Sequence, residues 1–305
     1  MTHRSGFACF VGRPNAGKST LTNAIVGEKI AIASSKPQTT RHTVRGIVTR
    51  EDAQLILVDT PGLHRPRTLL GERLNSLVRD TWGEVDVVAV CLPANQHIGP
   101  GDLYIVNEIA ALRRRPKFVA LATKTDLISK ERLRKHLQDI ADIEETAGIR
   151  WEHIVPVSAV TGEQVELVSD LLCSLLPEGP ALYDGDIVTD EPTETRVAEL
   201  IRESVLEGVR DELPHSITVV IDEMKLREGR PEDKPLMEVF ASMIVERDSQ
   251  KGILIGHKGS RLKEMGSVAR AQITKLLGMP VHLDLRIKVL KEWQRDAKHL
   301  NRLGF

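Results

Sequence analysis

Eight consecutive residues, Gly12-Arg13-Pro14-Asn15-Ala16-Gly17-Lys18-Ser19, stand directly behind the apolar run 7–11. Two glycines at this spacing, followed by Lys and Ser, suit the capture of a phosphate chain. The turn's backbone N–H groups and the positive N-terminus of a following helix converge on one point, where an anion can sit. Gly12 and Gly17 let the backbone approach without a Cβ in the way. Arg13, Pro14, Asn15 and Ala16 form the cradle between them, and Thr20 continues it into the helix. Lys18 reaches the β- and γ-phosphates, and the Ser19 hydroxyl can ligate Mg²⁺. These residues imply a nucleoside triphosphate as ligand.

Four further groups stand at the ends of apolar runs, where doubly wound sheets place their ligands. Asp59-Thr60-Pro61-Gly62 follows the run 55–58; Asp59 can hold Mg²⁺ through water, and the Gly62 N–H can meet the γ-phosphate. Gln38-Thr39-Thr40-Arg41-His42 occupies the position of a switch loop. Thr40 is the expected hydroxyl that closes on Mg²⁺, with Thr39 as the alternative. The metal set is therefore Ser19, Thr40 and Asp59, and Lys18, Thr40 and Gly62 are expected to act on the γ-phosphate. Arg41 and Arg45 read as solvated cations of the switch. Thr123-Lys124-Thr125-Asp126 follows the run 118–122. Asp126 can accept both the N1–H and the exocyclic amine of guanine, whereas adenine would leave a buried carboxylate unpaired. The Lys124 stem can cover the base, and Ser158-Ala159 can offer a backbone N–H to guanine O6. Order and spacing together favour guanine.

Buried strands are expected at 7–11, 55–58, 85–92, 118–122 and 154–157, with an antiparallel edge strand at 43–49. Helices are expected at 19–26, 69–82, 102–112, 129–143 and 162–176. This alternation predicts an α/β fold, a doubly wound and mostly parallel sheet over residues 1–176. The Pro-, Gly- and Asp-rich stretch 177–192 reads as a linker. Residues 193–305 change pattern: a helix at 193–209, strands at 217–221 and 237–245, helices at 251–255 and 260–277, and a strand at 281–289. That order, α-β-β-α-α-β, predicts a smaller α+β domain with a three-stranded sheet.

Between the two short helices of this second domain lies Ile255-Gly256-His257-Lys258-Gly259-Ser260. The GxxG inside that element order resembles a type II KH domain. In such a module the glycines let a sugar–phosphate backbone pass close, and single-stranded bases are read in an apolar groove. The expected RNA-binding residues are Lys251, Ile255, Gly256, His257, Lys258, Gly259, Arg261 and Lys263, with Arg270 and Lys275 nearby. Net charge over the whole chain is −1, but residues 191–246 hold 7 Lys/Arg against 14 Asp/Glu, whereas 247–305 hold 13 against 5. A local +8 beside a local −7 directs a polyanion to the last sixty residues. Aromatic residues make up 3% of the chain, so backbone contacts rather than base stacking would carry affinity. Trp293 reads as a packing residue and 113–117 as a solvated basic loop.

Hydrophobic residues at 41% and charged residues at 28% of 305 describe a globular protein with room for two domains. Cys9, Cys91 and Cys173 are far apart in or beside apolar runs, which fits buried thiols in a reducing compartment and neither a metal site nor a disulfide framework. The expected location is the cytoplasm, as a monomer. Peripheral membrane contact stays open, and nothing points to DNA.

GRPNAGKST, PQTTRH, DTPGLH and the KxD element, together with the C-terminal half, resemble the Era family of GTPases over nearly the whole chain. The resemblance implies GTP and GDP as ligands with Mg²⁺, GTP hydrolysis (expected to be slow because Leu63 can neither donate nor accept), and binding of single-stranded small-subunit ribosomal RNA near its 3′ end. The implied role is maturation of the small ribosomal subunit. Thr123 departs from the family's usual Asn, which would bridge the base and the phosphate loop; weaker nucleotide affinity is expected. Val160 replaces a common Lys. Ras-like GTPases orient water with a Gln after the DxxG glycine, and here that residue is Leu63. Asn15 resembles the residue through which related GTPases recruit K⁺, which implies K⁺ as a further cofactor. Two other readings stay open. One is a GTPase acting on tRNA, although no flavin, folate or sulfur-chemistry motif is seen; the other is an RNA-binding subunit that never turns its nucleotide over.

Overall fold

The protein, seen in a computed structural model, is described over residues 2–33, 39–63, 66–112, 116–208 and 216–305. Gln38, His64, the basic residues 113–115 and Val209 lie outside the described residues. Two compact units are formed, the first running to Asp190.

The first unit carries β1 (Arg4–Val11), α1 (Lys18–Val26), β2 (Val44–Thr49), β3 (Ala53–Asp59), α2 (Leu69–Glu84) and β4 (Val87–Pro93). There follow α3 (Pro100–Ala110), β5 (Lys117–Thr123), α4 (Lys130–Ala141), α5 (Ile143–Ala147), β6 (Trp151–Val157) and α6 (Val165–Leu175). The six strands lie in the order β2-β3-β1-β4-β5-β6. All neighbours are parallel except β2 and β3, which pair antiparallel. The sheet is doubly wound, as expected. Every residue of β3 and β4 is buried, because helices cover both faces. Val78, Trp82, Val106, Ile109 and Ile140 pack on one face; Leu21, Val168 and Leu172 pack on the other. Each such side chain contributes about 2 kcal/mol when fully removed from water, so the sheet's floor is rigid where its carboxyl edge must hold a ligand.

The expected helix 129–143 divides at Asp142 into α4 and α5. Asp142 itself keeps helical backbone angles, and Glu144 Oε1 accepts the Trp151 N–H at 2.7 Å, which ties α5 to the start of β6. The stretch 177–192 is less free than its composition suggests. Gly179 N donates to His3 O at 3.1 Å and Ile47 N to Val188 O at 2.9 Å. Gln54, fully buried in β3, receives the N–H groups of Leu182 and Tyr183 at 2.6 and 2.9 Å and donates to Tyr183 O at 2.8 Å. Arg45 pairs with Asp190 at 2.9 Å. The segment is strapped to the β2–β3 edge. Cys9, Cys91 and Cys173 are buried and unbridged, and desolvation pushes the Cys91 thiol up to about 12.

The second unit, mainly Glu191–Phe305, contains α7 (Thr193–Gly208), β7 (Thr218–Leu226), β8 (Met237–Val245), α8 (Asp248–Ile255), α9 (Ser260–Leu277), β9 (Val281–Val289) and α10 (Ala297–Arg302). Its sheet runs β7-β8-β9, with β7 antiparallel and β9 parallel to β8. Val197, Ile201, Val205, Val239, Met243, Met265, Ala269 and Ile273 form its core. β7 extends five residues beyond the expected 217–221, through a register shift between Ile221 and Glu223. Its polar second half is held by pairing with β8. α10 is an addition to the expected order, capped by Asp296 Oδ1, which accepts the N–H groups of Lys298 and His299 at 2.8 and 2.9 Å. Trp293 is fully buried, donates Nε1–H to Ser216 O at 3.1 Å and stacks on Phe305, which makes it a packing residue.

Gln54→Ala removes the partner of two backbone N–H groups and one carbonyl of the strap. A loss of about 2 kcal/mol in stability is expected, with faster amide exchange at Leu182 and Tyr183. An unchanged denaturation midpoint and unchanged exchange at both amides contradict the strap.

Candidate functional site: a phosphate loop with a guanine cleft, and a separate GxxG turn

β1 ends at the point where the strand order reverses, with β3 on one side and β4 on the other; ligands of open α/β sheets bind at that crevice. The phosphate loop bridges β1 and α1 there. Gly12 has φ +154, and a Cβ on it would lie 2.7 Å from the Cys91 carbonyl oxygen, so no other residue fits. Asn15 stands exposed at the apex with φ 63, a left-handed conformation that Asn tolerates better than most residues. Lys18 is 7% exposed, and its Nζ donates to Gly12 O and Arg13 O, both at 3.2 Å. Burial pulls its ammonium below the usual lysine range, opposed by the Asp59 charge. The lysine is thus fixed by the loop it serves.

Three oxygens gather beside it. Ser19 Oγ donates to Asp59 Oδ2 at 2.6 Å, and Thr40 Oγ1 lies 3.1 Å from Ser19 Oγ and 3.3 Å from Asp59 Oδ2. Asp59 is fully buried; desolvation pushes its carboxyl up, while Ser19, Lys18 and Thr40 pull it down. Its other oxygen, Oδ1, is buried with no hydrogen-bond partner. Two hydroxyls and a carboxylate with an unused oxygen form a hard-oxygen set suited to Mg²⁺. Gly62 closes the far side: a Cβ there would meet Pro14 N at 3.1 Å and Lys18 Nζ at 3.3 Å. Leu63 is 5% exposed and belongs to the hydrophobic core. Arg41 departs from its expected solvated position and is buried at 1%, while Arg45 is exposed and pairs with Asp190.

A cleft of about 350 Å³, open to solvent, is lined by Gly17, Thr20, Leu21, Thr123, Lys124, Asp126, Ala159 and exposed Val160. Ser158, fully buried, donates from Oγ to Asp126 Oδ1 at 2.7 Å and accepts the Thr161 N–H at 3.2 Å. This contact fixes the Asp126 carboxylate at the edge of the cleft. Thr123 is 4% exposed and donates its hydroxyl to Ala16 O at 2.7 Å. Short as it is, Thr123 keeps the tie to the phosphate loop; what it lacks compared with Asn is a group to reach the base as well.

In the second unit, Gly256 (φ +70) ends α8, and a Cβ on it would stand 2.8 Å from Arg261 Cβ. Lys258 (φ 49) and Gly259 (φ 80) continue the left-handed turn into α9. His257, Lys258 and Lys263 are exposed, as are Arg270 and Lys275. Lys251 and Ile255 are half-buried, and Arg261 is partly committed, donating Nη1–H to Ile253 O at 3.0 Å. The turn therefore carries exposed cations beside glycine backbone.

Phosphate loop, Mg²⁺ set and guanine cleft at the carboxyl edge of one sheet define a P-loop GTPase, and the mixed sheet with its GxxG turn adds a KH module. Family models agree: one described as a 50S ribosome-binding GTPase matches residues 7–124, and a KH domain matches 212–294. GTPase Era of Streptomyces coelicolor is 65% identical over 99% of this chain and 95% of its own length. That of Mycolicibacterium smegmatis is 59% identical over 99% of both. A crystal structure of an Aquifex aeolicus Era variant bound to GDP·AlF4⁻ is 32% identical, with a TM-score of 0.92 over 99% of both chains. A second structure, Era in complex with MgGDPNP and nucleotides 1506–1542 of 16S ribosomal RNA, is 33% identical at the same score and coverage. The chain belongs to the Era family of GTPases, and its reaction is the hydrolysis of GTP to GDP and phosphate.

Thr123→Ala leaves the buried Ala16 carbonyl without its 2.7 Å donor. Affinity for GDP, measured by calorimetric titration, is expected to fall about tenfold. Wild-type affinity in this variant means that the hydroxyl does not tie base and phosphate subsites together.

Proposed function

We propose that the chain binds single-stranded small-subunit ribosomal RNA near its 3′ end through the GxxG turn and assists maturation of the small ribosomal subunit. The observation that carries this reading is the likeness, over 99% of both chains, to an Era structure holding 16S ribosomal RNA nucleotides 1506–1542. The turn built from Gly256, His257, Lys258 and Gly259, with Lys251, Ile255, Arg261 and Lys263 around it, supports it independently. Backbone that can approach a phosphate ester, beside cations left in solvent, is what a single strand requires. The three buried, unbridged thiols support action in the reducing cytoplasm.

On the nucleotide side, Ser19, Thr40 and Asp59 would hold Mg²⁺, which supplies charge neutralisation across the β- and γ-phosphates. Lys18 adds a fixed positive charge, and the Gly62 N–H stands ready for the γ-phosphate. Leu63 can neither donate nor accept, so water must be oriented by backbone groups and intrinsic turnover is slow. Asn15, exposed at the loop's apex, is the proposed K⁺ ligand. Hydrolysis then releases the protein from the particle by weakening its hold on RNA.

A Gly256→Asp/Gly259→Asp double variant is expected to capture the 3′-terminal segment of the small-subunit RNA at least about tenfold more weakly, with GDP affinity unaltered. Undiminished capture sinks the RNA assignment. Phosphate release is expected to be slow with protein alone, faster with small subunits, and faster in K⁺ than in Na⁺ at equal ionic strength. Equal rates in the two salts remove K⁺ from the mechanism; no release under any condition favours a nucleotide-holding RNA subunit.

A further inference from the structure

Asp102 has no part in any motif of the sequence, yet it is one of the most deeply buried charges of the first unit. Its side chain is 1% exposed. One carboxylate oxygen, Oδ2, accepts the Gly99 N–H at 2.9 Å and closes the first turn of α3. The other, Oδ1, accepts Nε–H of Arg13 at 2.7 Å. Arg13 in turn donates Nη2–H to Gln96 Oε1 at 3.2 Å. At Gly101 a Cβ would stand 3.0 Å from Arg13 Cδ, so the start of α3 is shaped to receive the arginine stem. Arg13 is the second residue of the phosphate loop. Its own carbonyl oxygen accepts both Lys18 Nζ and the Ala16 N–H at 3.2 Å.

We propose that Asp102 is a positioning residue of the GTPase: through the Arg13 guanidinium it fixes the loop carbonyl that aims Lys18, and so sets the loop's shape before nucleotide arrives. Helix capping alone would be met by a neutral Asn or Ser at this position. A carboxylate buried to this degree requires a cationic partner, and that partner is a residue of the phosphate loop 89 positions away in sequence. A loop held in its binding shape engages ground state and transition state alike. Its loss should therefore raise KM and leave kcat almost unchanged. With turnover as slow as Leu63 implies, KM here reports nucleotide dissociation.

The test is a double-mutant cycle on GTP hydrolysis by the full chain: Asp102→Asn, Arg13→Gln, and the pair, with Asp102→Ala as a harsher variant. Asp102→Asn retains an acceptor for the Gly99 N–H, so it separates the cap from the ion pair and folds even where Asp102→Ala does not. Each single variant is expected to raise KM about tenfold with kcat within about twofold, and the pair to be no worse than the worse single. Effects that multiply in the pair overturn the proposal, because the two side chains then act independently. So does an Asp102→Asn variant with a wild-type KM, whatever its melting temperature, which leaves the pair with Arg13 a contact of stability alone. A fall in kcat at constant KM overturns it as well, since it places the effect in the transition state alone.

Discussion

A lysine and an aspartate buried side by side are what the first unit is built around. Lys18 is 7% exposed and Asp59 not at all. Two ions withdrawn from water cost several kcal/mol each unless something of opposite charge repays it. Here each offsets part of the other's penalty, and the two hydroxyls on Asp59 and two carbonyls on Lys18 supply hydrogen bonds. A polyanion with its counter-cation would offset the remainder. Everything nearby serves that arrangement. Asp59 is the last residue of β3 and pairs in register with Phe10 of β1, so the carboxylate is placed by a strand buried on both faces. The loop then needs a glycine at 12 because the Cys91 carbonyl leaves no space.

The GxxG unit answers the same chemical demand by the opposite electrostatic strategy. His257, Lys258 and Lys263 stay in solvent, so no desolvation penalty is stored in the free protein. Exposed charges are screened within about 10 Å at ordinary ionic strength, and their attraction for a phosphate backbone falls steeply with salt. The nucleotide site, being enclosed, is screened much less. One chain therefore carries a site whose grip is set by burial and another whose grip is set by the ionic medium. Weak, numerous and screened contacts suit a partner that must be released, while a buried pair suits a ligand that must be kept until it is cleaved.

Much of this was legible in the residues, because spacing encodes local chemistry. The phosphate loop, DTPG, TKTD and SA elements each sit at the end of an apolar run, and a strand's end is where a doubly wound sheet must put its ligand. What was not legible depended on contacts between distant segments. The carboxylate of Asp102 meets Arg13 only because α3 starts beside the loop after β4, and nothing in either local sequence announces it. Composition made 177–192 a linker; Gln54, a single polar residue inside an apolar strand, was the signal that something with backbone groups must lie across it. Arg41 looked solvated for the reason that arginines usually are, and it is buried. The second half of β7 came from its partner strand, beyond the reach of propensity. Asp296 carried a readable cap signal for α10, and only the brevity of that helix hid it.

Leu63 ties the enclosed site to the rest of the chain. Packed into the hydrophobic core, its side chain brings no donor or acceptor to the attacking water, so the geometry of attack must come from elsewhere. Backbone groups around Thr40 and Gly62 are the available source. Lys18 and its loop, by contrast, are already rigid, held by carbonyls, by Thr123 and by the Arg13 anchor. Nucleotide binding therefore rests on side chains already fixed by hydrogen bonds, and attack on backbone groups that the side chain at position 63 cannot replace.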